Sequence, residues 1–287
     1  MARAERSPKE MEDDSQYKFL LDKIMRNTNI DFNGYRPQLL KRRVQHRLGS
    51  TGCNGYWEYI SLLNKDPKEY DRLIEALTIK ESYFFRDTKV FKLLENGIIP
   101  EIVSQKQTDG VKKIRAWSCG TAFGQEAYSM AILLREVLGN RTKDFDIKIL
   151  ATDVDKDALE KAPWGSYDRR ALRKMGPHLL FKYFTRFQDR YVVSDRVRAL
   201  VSFERHDIVS GIQKRGMDLV LCRNLLIYFQ KELQEQVLLN LYTALNPGGF
   251  LILGKIETIT DQMRDYFEVV DLKERIYRKE SALSVRV

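Results

Sequence analysis

Apolar positions change their period part-way along this chain, and the change divides it. Over 15–77 they recur at helical spacing, with Phe19, Leu20 and Ile24 in a first segment and Leu39, Leu40, Val44 and Leu48 in a second. Asp14 or Ser15 can cap the first helix, which the 27–34 stretch breaks. Pro37 suits the first turn of a second helix and Gly49 its end. Two more helices, over about 55–64 and 67–77, complete a small bundle, and another covers about 90–103.

Beyond residue 110 short apolar runs alternate with helical ones. A strand ends at Trp117, Gly120 and Gly124 mark a tight turn, and 127–138 is helical. A second strand over 146–151 carries Thr152-Asp153 at its C-terminal end, and a helix follows at 156–162. The pattern predicts a turn at 164–167, a helix over 171–187 broken at Gly176-Pro177, and strands at 191–193 and 197–203. Residues 217–222 form an unbroken apolar run, the mark of a strand buried on both faces. A helix at 230–245, a turn at 246–249, a strand at 250–253 and a closing pair at 267–270 and 275–277 finish the chain. The expected fold class is α/β: a disordered tail at 1–14, a helical domain at 15–78, and a sheet domain at 79–287 with a small β-subdomain at about 180–203.

The 287 residues suffice for two domains with full cores, and 43% hydrophobic with 31% charged residues is ordinary for a globular protein. No apolar run is long enough to span a membrane, and 1–14 lacks a signal-peptide core. Three scattered cysteines and three histidines argue for reduced cytoplasmic thiols and against a metal site. The net charge of +9 asks for an acidic partner, and charge alone does not choose among nucleic acid, acidic protein and anionic membrane. The 36–48 helix concentrates it: Arg36, Lys41, Arg42, Arg43 and Arg47 stand there with no acidic residue among them, a candidate docking surface.

The strand, glycine turn and helix around Gly120 open a nucleotide-type sheet, yet Ser118-x-Gly120-x-x-x-Gly124 does not match the G-x-G-x-x-G pyrophosphate fingerprint. Asp153 at the tip of the next strand is placed to accept hydrogen bonds from ribose hydroxyls. Together they suggest an adenosine cofactor without a pyrophosphate, which S-adenosyl-L-methionine satisfies. Arg86 follows the aromatic run Tyr83-Phe84-Phe85 at a domain junction, where ligand clefts are common. His206-Asp207 ends a strand where a polar group can meet an adenine edge or cap a helix.

These segments resemble the CheR family, cytoplasmic enzymes that methylate glutamate side chains of bacterial chemoreceptors. The likeness runs from the basic helix to the final strands. It rests on Leu77-Thr78-Ile79 with Phe84-Phe85-Arg86, on Trp117-Ser118 with Gly120, Gly124, Glu126, Tyr128 and Ser129, and on Ala151-Thr152-Asp153. Cys222-Arg223-Asn224 with Ile227-Tyr228-Phe229, Asn246-Pro247-Gly248-Gly249, and Gly254 with Glu257 complete it. The resemblance implies a class I S-adenosylmethionine-dependent methyltransferase (Rossmann-like) sheet, a small all-α N-terminal domain and a small antiparallel β-subdomain. By motif position Lys80, Ser82, Arg86, Gly120, Glu126, Asp153, Asp207, Ile208, Asn224 and Leu225 would line the cofactor site, with S-adenosyl-L-homocysteine as product. Arg86 and Tyr228 would stand near the transferred methyl, and the basic helix would dock on the acidic receptor bundle.

The chain departs from the family at Lys80 and Asp207, where asparagine is usual, at Thr121-Ala122-Phe123 for Cys-Ser-Thr, at Gln125 and Ala127, and at Lys255-Ile256. The short, glycine-free 187–190 connection resembles the form that needs no receptor tail peptide. A monomer without nucleic acid or membrane insertion is expected. A nicotinamide dehydrogenase is disfavoured by the glycine spacing, and a nucleic-acid amino-methyltransferase by the absence of proline after Asn224. A CheR-like module that binds without turnover, or a methyltransferase for another acidic protein, stays open.

Overall fold

The computed structural model describes residues 8–78 and 80–280. They form two compact units, one comprising the chain through Ile79 with Tyr228–Leu233, the other Lys80–Ile227 with the remainder.

The first unit contains α1 (Pro8–Thr28), α2 (Pro37–Thr51), α3 (Tyr56–Lys65) and α4 (Lys68–Leu77). Leu20, Ile24, Leu40, Val44, Tyr59, Leu63 and Leu73 fill its core, as the helical periodicity demands. Helix α1 starts at Pro8, so 8–14 is helical instead of a tail. Gln16 bonds back to Glu12 within this stretch, and the rest of the expected tail, 1–7, lies outside the described residues. Helix α2 runs past Gly49 to stop at Gly52, whose φ of 73° permits the left-handed cap.

The second unit opens with α5 (Thr88–Leu93), a π turn at Leu94–Ile98, and α6 (Ile99–Thr108). Pro100 has no N–H for the ladder, and the widened turn before it absorbs that loss within the helix expected at 90–103. Strand β1 (Lys113–Cys119) leads to α7 (Gln125–Leu138), then β2 (Asp146–Asp153) and α8 (Lys156–Lys161). The short β3 (Ser166–Tyr167), α9 (Pro177–Tyr183), β4 (Phe184–Phe187) and β5 (Arg190–Val193) come next. After α10 (Asp195–Arg198) come β6 (Val201–Arg205), β7 (Met217–Cys222), α11 (Lys231–Ala244), β8 (Leu245–Leu253), β9 (Phe267–Asp271) and β10 (Ile276–Lys279).

The large sheet has the order β6-β2-β1-β7-β8-β10-β9, parallel except where β10 enters antiparallel to both neighbours. This is the class I methyltransferase arrangement. Every residue of β7 is buried, as its apolar run requires. Helix α7 buries every residue from Ala127 to Leu134.

The β-subdomain overlaps the expected 180–203 but is shifted towards the N-terminus. The second sheet is β3-β5-β4, within 166–193. Residues 184–187 leave the helical pattern because Gln188-Asp189 makes a tight hairpin that pairs them with 190–193. Residues 201–205 pair in parallel with β2 and so belong to the large sheet. The expected turn at 164–167 contributes β3.

Candidate active site

In parallel sheets the C-terminal strand ends frame the ligand crevice, and β1, β2, β6 and β7 bring their tips together there. Beyond β1 the chain turns at Gly120, whose φ of 70° suits glycine and whose added Cβ would stand 3.3 Å from Leu225. Gly124 has φ 87°, and a Cβ on it would come within 2.9 Å of the Phe203 ring. The Thr121 N–H donates to the Thr152 carbonyl at 2.9 Å, tying the loop to β2.

Asp153 accepts from the Ala122 N–H at 2.8 Å on one oxygen and from the Asp155 N–H at 3.0 Å on the other. Each oxygen keeps a lone pair for a further donor. Burial pushes this carboxyl above its ordinary value, against the N–H donors that favour the charged form. Lys80 pairs with Asp155 at 2.9 Å and Asp157 at 3.5 Å, and lies 5.6 Å from the Phe123 ring centroid. Two departures from the family pattern, the cation and the bulky ring, thus meet, and the charge is neutralised at the start of α8.

Glu126 accepts from the Ser118 hydroxyl at 2.9 Å and from Arg223 at 3.2 Å. Burial raises its proton affinity, with Arg223 and then the Ser118 hydrogen bond opposing. The same guanidinium pairs with Asp87 and packs over Phe91. Arg86 itself donates to the Glu81 carbonyl at 2.9 Å and forms no salt bridge among the described residues. Ser82 is half-buried.

At the tip of β7, Asn224 has φ 60°, and its side-chain Oδ1 is buried with no hydrogen-bond partner among the described residues. Its backbone N–H donates to Glu257 at 2.8 Å, as do those of Gly254 at 2.6 Å and Ile227 at 3.3 Å. Asp207 acts locally, its carboxylate accepting from the Val209 N–H and the Ser210 hydroxyl and so closing a turn that holds the buried Ile208. Tyr228 belongs with the helical unit, where its carbonyl accepts from the Arg36 N–H at 2.8 Å.

The ten residues expected to line the cofactor site, Lys80, Ser82, Arg86, Gly120, Glu126, Asp153, Asp207, Ile208, Asn224 and Leu225, all belong to the sheet unit. Sequence reasoning counted Arg223 among the residues of the resemblance but gave it no partner, and it gave no role to Asp87. The crevice suits a nucleoside: Asp153 offers acceptors to a vicinal diol, Asn224 holds a buried acceptor without a donor, and Leu225 and Ile208 are apolar. Cys119 and Cys222 are register partners on β1 and β7. Contact with Cys119, then burial, holds the Cys222 thiol well above its ordinary value, and all three cysteines are free.

The expected docking cations of α2 fare unequally. Arg47 forms a two-pronged pair with Glu69 at 2.5 and 2.7 Å, and Arg43 donates to the Ala76 and Thr78 carbonyls at the end of α4. Lys41 pairs with Asp14, and Arg36 reaches the Phe229 carbonyl at 3.3 Å. Arg42 is exposed, with no salt bridge among the described residues. Those residues also hold no helix long and apolar enough to cross a membrane and no cluster able to bind a metal.

The chain is similar to known proteins over most of its length. The family model described as CheR methyltransferase, SAM binding domain, matches residues 80–276, and that of the CheR methyltransferase all-alpha domain matches 15–78. A chemotaxis protein methyltransferase of Listeria innocua is 30% identical over 246 residues, covering 86% of this chain and 91% of that one. Chemotaxis protein methyltransferase 2 of Vibrio cholerae is 31% identical over 246 residues, covering 83% and 84%. An uncharacterized 104.1 kDa protein of Rhodobacter capsulatus is 32% identical over 249 residues, 87% of this chain but only 26% of that longer one.

Proposed function

The chain belongs to the CheR methyltransferase family, and from that premise we propose that it methylates glutamate side-chain carboxylates on the cytoplasmic helices of bacterial chemoreceptors, forming methyl esters. The observation that supports this reading is Arg86: a guanidinium that forms no salt bridge among the described residues and is close enough to Glu126 to lower that carboxyl's proton affinity, while Glu126 is already paired with Arg223. An arriving carboxylate therefore has a cation to meet. Bound S-adenosylmethionine supplies the electrophilic methyl group.

A glutamate is ionised at neutral pH, its ordinary pKa being about 4.3, so no general base is required. The residues act by alignment and desolvation. Arg86 and the Tyr228 hydroxyl orient the substrate carboxylate. Asp153 accepts from the ribose hydroxyls, Glu126 balances the positive end of the cofactor, and Leu225 and Ile208 bound the adenine. Asp207 shapes the turn that carries Ile208. Arg42 and Arg36 contribute charge towards the acidic receptor. The two-residue turn between β4 and β5 supports action without a receptor tail peptide.

The test is incorporation of base-labile methyl groups into receptor membranes. Arg86→Ala is expected to slow turnover by roughly a hundredfold through lost alignment, and Tyr228→Phe by less. Unchanged rates in both would remove this assignment of roles. Calorimetric titration with S-adenosylhomocysteine, lost in Asp153→Ala, tests the cofactor site separately.

A further inference from the structure

We propose that the cationic turn at 168–174 is a docking surface of the sheet unit for the acidic helix that carries the substrate glutamate, an inference that rests on the function proposed above. The segment reads Asp168-Arg169-Arg170-Ala171-Leu172-Arg173-Lys174. Leu172 is buried and anchors it, while Arg169, Arg170, Arg173 and Lys174 are all exposed. None of the four forms a salt bridge among the described residues, although most other arginines of the small sheet and its flanks have a hydrogen-bonding or ionic partner. The one local carboxylate, Asp168, is spent on the Ala171 N–H at 3.0 Å.

This turn is joined to the residue that meets the substrate. The Phe84 N–H donates to the Ala171 carbonyl at 2.9 Å. Arg173 lies 3.6 Å from the Tyr83 ring centroid, and Arg86 lies over the same ring at 5.8 Å. Arg169 similarly packs over Tyr191. Stacking on aromatic rings holds guanidinium groups without neutralising them. The result is a braced row of positive charge running up to Arg86. Four cations in one short turn match the clustered carboxylates along one face of an acidic helix. The aromatic rings are covered by guanidinium groups and so offer no stacking platform for bases, which disfavours nucleic acid.

The paired substitution Arg170→Glu with Lys174→Glu tests this, since both side chains are exposed and have no side-chain partner among the described residues. With an acidic receptor cytoplasmic fragment as substrate, KM should rise roughly tenfold and lose much of its salt dependence, as exposed charges that steer association do. The affinity for S-adenosylhomocysteine should not change. Arg173→Lys keeps the charge but loses the stack, and should lower kcat more than it raises KM. If the wild type methylates the fragment and the double variant has the same KM and salt dependence, the docking surface is refuted while the function stands. If the wild type forms no methyl ester on the fragment, both fall. Loss of duplex DNA binding with the fragment's KM preserved would overturn the inference in favour of nucleic acid.

Discussion

Arg223 is paired with Asp87, 136 positions away in the chain, and the pairing braces the turn that presents Arg86. Phe85 and Asp87, the residues on either side of Arg86, both have left-handed backbones, with φ of 52° and 59°. Such conformations cost of order 1–3 kcal/mol each and persist only where the surroundings hold them. Two contacts do so: the Phe85 N–H donates to the Ser129 hydroxyl at 3.0 Å, and Asp87 is clasped by Arg223. Because Arg223 also holds Glu126 at 3.2 Å, the turn and the Glu126 carboxylate share one buried cation.

Arg223→Leu should therefore destabilise the protein by about 3–5 kcal/mol, because two carboxylates lose their buried partner. Asp87→Asn keeps an acceptor and a residue that tolerates the left-handed region, and should cost only about 1.5–3 kcal/mol. Urea midpoints of the two variants check the order. Equal midpoints would show that the bridge does not hold the turn.

Much of this frame was legible in the pattern. The apolar run at 217–222 and the glycine turn after Trp117 announced a buried sheet, because a strand covered on both faces has no polar side to show. Periodicity failed where pairing partners decided the outcome. Phe184 to Phe187 follows a helix without a break, and only the hairpin with Arg190 to Val193 makes it a strand. The site was legible as motifs but not as a network. Nothing in the spacing says that Arg223 reaches back to Asp87, or that Lys80 meets Phe123, since both contacts arise from chain crossings that sequence does not encode locally. Likewise the helical spacing of α2 grouped five cations, but it could not show that Arg43 and Arg47 turn towards α4 and Glu69.

Glu257 satisfies three backbone N–H groups around the Asn224 turn. Glu257→Gln replaces one acceptor oxygen by a donor facing those N–H groups and should cost about 1–3 kcal/mol. A methyl on Gly254 would lie 2.4 Å from the Glu257 carboxylate and 2.8 Å from the Asn224 nitrogen, so Gly254→Ala should cost about 1–3 kcal/mol by overpacking. Both should also weaken S-adenosylhomocysteine binding in calorimetry, because Asn224 stands on that turn. Unchanged affinity in destabilised variants would separate the turn from the cofactor site.

Burial raises the carboxyl pKa of both Asp153 and Glu126. The folded state then takes up these protons before the unfolded chain does. As pH falls from the raised values to the ordinary carboxylate range, their contribution to stability increases while their capacity to accept hydrogen bonds is lost. S-Adenosylhomocysteine affinity should accordingly drop on acidification with a midpoint above the ordinary range near 4. Titrations across pH in the wild type and in Asp153→Asn should show the profile flattened in the variant. A wild-type midpoint at or below the ordinary value would contradict the assignment.

Arg47 and Arg42 sit five positions apart on α2 and should behave oppositely. Glu69 is buried, which favours its protonated form, yet hydrogen bonds from Arg47, Tyr59 and Arg72 outweigh burial and hold its pKa below the ordinary value. A lowered folded-state pKa gives stability that is present above the unfolded value and lost as pH falls through the folded one. Arg47→Ala should therefore cost about 2 kcal/mol at neutral pH, less than a fully broken buried pair because Tyr59 and Arg72 remain, and the deficit should shrink in acid. Arg42→Ala, at an exposed site, should change stability by no more than about 0.5 kcal/mol while raising KM for an acidic receptor fragment. Urea midpoints at two pH values with receptor methylation kinetics decide the matter: an Arg47→Ala variant of unchanged stability and raised KM would make Arg47 a docking cation instead of a structural one.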